Sequence, residues 1–193
     1  MTTFPPIAPV ARITPEELLA MPDSVDYELV DGKLVERNMG LKSSAIAMRI
    51  GQRLLNFLDT QKAGHVFGSE AAFRCFPDDA DKVRKPDVSF IRNGRLPGER
   101  DPDGYGYIAP DLVVEVISPN DKADEVDEKI QEYLTAGVPL IWIVHPKTRI
   151  VQIHRPPTSP LGASTRLTES DTITGEDVLT GFSCPVAAFF GLK

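Results

Sequence analysis

PDLVVEVISPNDKADEVDEKIQEYLTAGVPLIWIV (110–144) decides the fold. LVVEVIS (112–118) is an apolar run of strand length. Residues 121–136 then read as a helix. Asp121, Asp124, Glu125, Asp127 and Glu128 load its N-terminal half, where the helix dipole favours negative charge. Val126, Ile130, Tyr133 and Leu134 form one apolar stripe, and Gly137 stands where a C-terminal cap belongs. VPLIWIV (138–144) is a second apolar strand. Strand, helix and strand in this order form a βαβ unit, so part of the sheet is parallel.

Inside that unit Glu115 is out of place. A lone carboxylate in a covered strand is costly, so it must be paired, metal-bound or at an exposed strand end. Asp111 lies four residues earlier, on the same face of the strand but about 13 Å away, too far to share one ion. Asp87 is better placed. It stands in KPDVSF (85–90), at the start of a separate apolar strand over 86–91. If that strand pairs with 112–118, Asp87 and Glu115 converge. Two carboxylates plus waters suit Mg²⁺, which takes few protein oxygens and keeps several waters. Pro86-Asp87 and Pro110-Asp111 also have a plainer reading as turn chemistry before a strand. For Asp111 that structural role is the simpler one.

Two further charges matter. Lys129 sits at the edge of the apolar stripe and could reach inward, or it could stay in solvent beside Glu125 or Glu132. Lys122, at the helix start, is the alternative cation. Glu28, in YELVD, alternates with Tyr27 and Leu29 and so points away from their face. Only convergence with Glu115 would give it a function.

Outward from this core the chain is legible in pieces. Residues 1–12 are Pro-rich and expected to be flexible, leaving 13–193 as a single domain. Thr14-Pro15-Glu16-Glu17 starts a short helix. Asp31-Gly32 inside YELVDGKLVER (27–37) marks a hairpin. Ile46, Ile50, Leu54 and Leu58 recur every four residues in a helix over 43–59. HVFGSEAAFRCF (65–76) alternates like a strand. Residues 92–109 form a long loop, and RIVQIH (149–154) is a strand that could lie at a sheet edge and support pairing into a homodimer.

Composition narrows the class. The chain has 193 residues, a net charge of −7 and a pI near 5.0, which argues against coating nucleic acid through the whole surface. Two cysteines, Cys75 and Cys184, make neither a disulfide framework nor a zinc site. The apolar runs are too short for a membrane span, and the N-terminus lacks a secretory pattern. A cytoplasmic protein is expected. No Gly-rich phosphate loop follows any strand, which disfavours a nucleotide-binding domain.

YELVDG (27–32), KPDVSF (85–90), PDLVVEVISPND (110–121) and EKIQEYLTAGVPLIWIV (128–144) together resemble the Uma family of restriction-type endonucleases, within the PD-(D/E)XK nuclease superfamily. The resemblance spans residues 13–155. It implies an α/β fold with a restriction-endonuclease-like core, a mixed central β-sheet flanked by helices. It implies that Asp87 is the aspartate of the PD half-motif and Glu115 the acid of the other half. The Val116 carbonyl would be a further metal ligand, and Glu28 an extra acid from an element before the core. The usual lysine position, two after Glu115, is Ile117, so the resemblance shifts that role to Lys129. Many relatives carry a histidine before the long helix, where this chain has GLKSSAI (40–46), with Ser43 or Ser44 in its place.

The implied activity is Mg²⁺-dependent phosphodiester hydrolysis, with Mn²⁺ as a substitute and DNA as the substrate. Lys82, Arg84, Lys85, Arg92, Arg95 and Arg100 cluster around Asp87 in sequence, and Arg49 and Arg53 lie one helical turn apart, as a polyanionic substrate would require. The alternative is a catalytically degenerate nuclease fold that binds nucleic acid or a protein without cutting.

Overall fold

A computed structural model describes residues 12–37 and 40–191. The flexible segment expected over 1–12 lies outside them, apart from Arg12. In chain order the elements are α1 (Pro15–Ala20), β1 (Tyr27–Val30), β2 (Lys33–Glu36), α2 (Leu41–Gln61), β3 (Gly64–Gly68), β4 (Val88–Arg92), β5 (Leu112–Val116), α3 (Ala123–Thr135), β6 (Leu140–His145), β7 (Ile150–His154), β8 (Ser164–Leu167), β9 (Thr172–Gly175), β10 (Leu179–Pro185) and α4 (Ala187–Phe190).

Local chemistry sets several of these boundaries. Thr14 and Glu17 form a capping box at α1: the Glu17 amide donates to Thr14 Oγ1, and the Thr14 amide donates to Glu17 Oε2. Asp31 and Gly32 both take positive φ, 51° and 73°, which a tight two-residue hairpin between β1 and β2 demands. At the end of α3, Gly137 adopts φ 91° and donates to the Leu134 carbonyl, while Val138 donates to that of Tyr133.

The central sheet is mixed and six-stranded, in the order β3-β4-β5-β6-β7-β8. The β5–β6 pair is parallel, as the βαβ unit requires, and the other pairs are antiparallel. Strand alternation then divides β5 between two cores. Leu112, Val114 and Val116 join Ile46, Ile50 and Leu54 of α2, together with residues of the β9–β10 hairpin and α4. Val113 faces the other way and packs with Ile130 and Tyr133 of α3. Glu115 is two residues on from Val113 and therefore lies on the α3 side.

Two sequence expectations need correction. The strand expected over 65–76 ends at Gly68, because a turn follows in which the Ala71 amide donates to the Gly68 carbonyl. Beyond it, Phe73 makes only isolated bridges to Arg84 and Gly106. The strand expected at an edge, β7, is interior: β6 flanks it on one side and β8 on the other. Its backbone is thus unavailable for pairing with a second copy. The edges belong to β3 and β8. Among the described residues, no helix is long and apolar enough to cross a membrane.

Candidate active site

The β4–β5 register brings the two expected acids together. Val88 pairs with Val114, Ser89 with Val113 and Phe90 with Leu112. One step further along the antiparallel register, Asp87 stands across from Glu115, on the face covered by α3. Asp87 Oδ2 accepts the Val116 amide at 2.8 Å, which fixes the carboxylate against the end of β5. A strand residue turns its N–H and C=O to the same side, so the Val116 carbonyl also lies on the Asp87 side. Arg37, leaving β2, places Nη2 3.6 Å from Asp87 Oδ1.

Glu115 is buried, and its Oε1 accepts the Tyr133 hydroxyl at 2.8 Å. Lys129 Nζ lies 4.0 Å from the same oxygen. Burial raises the Glu115 carboxyl to a pKa of about 7. Lys129 opposes that rise, while the charges of Asp87 and Glu28 add to it. Asp87 is also raised, by burial first, against the Val116 amide and Arg37. For Lys129, burial favours the neutral amine, but Glu115 and Glu28 outweigh it and hold the lysine charged, its pKa above the ordinary value.

Glu28 converges on this group and is itself buried. Its Oε1 accepts the Lys85 amide at 2.9 Å. Its Oε2 takes both Arg84 Nη1 and Lys129 Nζ at 3.0 Å. Burial alone would raise its pKa, yet the charges of Lys129 and Arg84 and the Lys85 amide prevail and hold it below the usual value. Both Glu28 oxygens thus hold partners in this structure. Among the described residues, no group of three or more His, Cys, Asp or Glu is arranged to hold a metal ion. The donor set is two carboxylates and one carbonyl, a set that fits an ion retaining most of its water, as Mg²⁺ does.

The other candidates separate cleanly. Lys122 pairs with Glu125 in solvent, so Lys129 is the inward cation of α3. Asp111 is structural: it accepts from the Arg92 amide, Arg92 Nε and Arg95 Nη1. Those two arginines therefore lie away from Asp87. Lys82 and Arg84 both pair with Glu132 of α3, and Lys85 Nζ donates to the Ser24 carbonyl. The basic residues clustered in sequence thus do not form one basic patch in space. Ser43 is buried, with its Oγ 3.3 Å from that of Ser118.

Three site residues escape sequence reasoning in these roles: Tyr133, Arg84 and Arg37. Tyr133 looks like core, and its one signal is a position four residues after Lys129 on the same helix. The carboxylates face a cavity of about 290 Å³ between the β1–β2 hairpin and the start of α3. Glu36, Asp121, Glu125 and Glu128 are exposed around its mouth, while Arg37, Arg84, Lys85 and Lys129 line its interior.

The Uma2 family model, described as "Putative restriction endonuclease", matches residues 15–187. The chain is similar to a crystal structure from Anabaena variabilis ATCC 29413 described as that of "a putative nuclease belonging to DUF820". The TM-score is 0.74 at 22% identity, over 92% of this chain and 97% of that one. At that identity the likeness establishes the fold alone. No curated protein matches the chain.

Proposed function

The chain belongs to the Uma2 family, and on that premise we propose that it is a nuclease that hydrolyses phosphodiester bonds in DNA, with Mg²⁺ as its ion and the cytoplasm as its place of work. One observation carries this reading: Asp87 stands across from Glu115 at the floor of a cleft, with Lys129 beside them. A divalent ion on Asp87, Glu115 and the Val116 carbonyl would supply Lewis acidity toward a phosphate oxygen and acidify a water molecule.

The chain's own groups prepare that position. The Val116 amide orients Asp87, and the Tyr133 hydroxyl orients Glu115. Lys129 brings a fixed positive charge to the point where charge builds on the phosphate. It arrives from α3, since Ile117 occupies the usual lysine position. Arg37 adds a second cation on the hairpin wall.

The test is nicking of plasmid DNA in Mg²⁺ or Mn²⁺ by the intact protein, beside Asp87→Ala and Glu115→Ala. Loss of nicking in both variants is expected. Equal nicking by all three would mean a contaminating activity and would sink the reading.

A second reading has its own support. Ser43 or Ser44 stands where the resemblance commonly has a histidine, and four exposed carboxylates rim the cleft. Both suit a catalytically degenerate fold that binds without cutting. Calorimetric titration with Mn²⁺ separates the two, because a dead site should not bind the ion through Asp87 and Glu115.

A further inference from the structure

We infer that Glu28 is the positioning residue of Lys129, holding the displaced lysine of this site in place, and that it contributes no metal ligand. Lys129 enters from α3 and not from the strand position Ile117, and its long flexible stem needs an anchor to give one geometry. Glu28 Oε2 supplies one at 3.0 Å, closer than the 4.0 Å that separates Lys129 from Glu115.

The anchor is itself immobilised. Arg84 Nη1 shares Glu28 Oε2, and the Lys85 amide fills Oε1. Arg84 is buried and has a second partner, Glu132, on the same helix as Lys129 and three residues beyond it. Glu132 also receives Lys82. A continuous series of charges of alternating sign, Lys82, Glu132, Arg84, Glu28, Lys129 and Glu115, thus ties β1 and the 82–85 segment to α3. Three such donors fill three of the carboxylate's roughly four acceptor sites, so a cation bound there would face two positive neighbours at Oε2 or the loss of one of these donors. Such a loss would leave Arg84 or Lys129 incompletely paired in a buried setting, which is costly.

The inference rests on the nuclease reading only for its kinetic arm. Glu28→Gln keeps the shape, and Arg84 retains Glu132, so the variant should fold; circular dichroism checks this. Calorimetric titration with Mn²⁺ is the first measurement. Affinity within twofold of the parent is expected for Glu28→Gln, whereas Asp87→Asn should bind at least tenfold more weakly. A tenfold loss in Glu28→Gln would make Glu28 a ligand and overturn the inference.

Amine labelling followed by mass spectrometry is the second measurement and needs no activity. Labelling of Lys129 should rise severalfold in Glu28→Gln, since the released ammonium becomes mobile. Unchanged labelling would also overturn the inference. The third measurement is a kinetic cycle on a fluorescent oligonucleotide. Glu28→Gln should lower kcat by about 10²-fold with KM little changed, on the scale of losing one transition-state donor. The same change in a Lys129→Gln background should cost little more, because groups that act as one unit are non-additive. Full additivity would overturn the inference. Absence of cleavage by the parent protein would defeat the nuclease reading alone, leaving the metal and labelling measurements to decide.

Discussion

The Tyr133 hydroxyl donates to Glu115 Oε1 at 2.8 Å, and Lys129, one turn earlier on α3, sits 4.0 Å from the same oxygen. One helix thus controls one side of the carboxylate, and β5 presents its other side to the cleft. Tyr133→Phe removes the donor and leaves a buried acceptor short of a partner. The expected cost is about 1–3 kcal/mol in stability. Mn²⁺ affinity should fall about tenfold, as for lost outer-shell contacts elsewhere. Urea unfolding and calorimetry measure the two effects. An unchanged Mn²⁺ affinity would show that the hydroxyl does not orient the acid.

Glu115 also sets a pH dependence whose sign is fixed. Its pKa is about 7 in the folded protein, against 4.5 ordinarily. Between these values the folded state holds more protons than the unfolded chain. The stability this gives is therefore fully present below pH 4.5 and is lost as pH rises through 7. In metal-free buffer, Glu115→Gln should gain on the parent in unfolding free energy as pH rises across that window. Denaturant titrations at either end of the window test it, and a pH-independent difference between the two proteins would contradict it.

The cleft mouth should govern the salt response of substrate binding. Glu36, Glu125 and Glu128 are exposed around it and would repel neighbouring phosphates. Replacing all three by Gln should raise affinity for a labelled duplex severalfold at low salt, with the gain fading as salt screens the charges. Fluorescence anisotropy reads the change. Equal affinity at low salt would place the nucleic-acid path elsewhere.

On the opposite face of the sheet, Trp142 is fully buried between Phe182 of β10 and Phe189 of α4, with ring centroids 5.9 and 6.1 Å away. Trp142→Ala should cost about 3–5 kcal/mol by opening that layer. Since the acids lie across the sheet, Mn²⁺ affinity of the folded variant should stay near that of the parent. A stability loss under 1 kcal/mol, on the same scale, would mean the β10–α4 layer contributes little.

Much of this was readable from residue patterns, and the reasons are physical. The parallel β5–β6 pair follows from an apolar strand, an acid-led helix and a second apolar strand. The approach of Asp87 to Glu115 follows from strand geometry, which keeps Asp111 too far away. What escaped was pairing across long separations. Glu28 and Arg84 are 56 residues apart, and no local period links them. Arg84 therefore looked like one of several basic surface residues. Tyr133 fitted the apolar stripe of its helix so well that its hydroxyl drew no notice. β8 escaped for a different reason. STRL (164–167) is short and mostly polar, follows a Pro- and Gly-rich stretch, and lacks the pattern that marks a buried strand.

The Asp111 carboxylate closes the long segment between β4 and β5 at its base. Arg92 and Arg95 enter that segment, Asp111 leaves it, and three hydrogen bonds join them. The two strands that carry Asp87 and Glu115 are thereby held in register whatever lies at the far end of the loop. Lengthening such a loop costs little closure entropy once its stem is tied. The tip around residues 100–104 is therefore the place where this scaffold can accept foreign sequence. A peptide tag or a reporter dye could be spliced there without disturbing the paired acids.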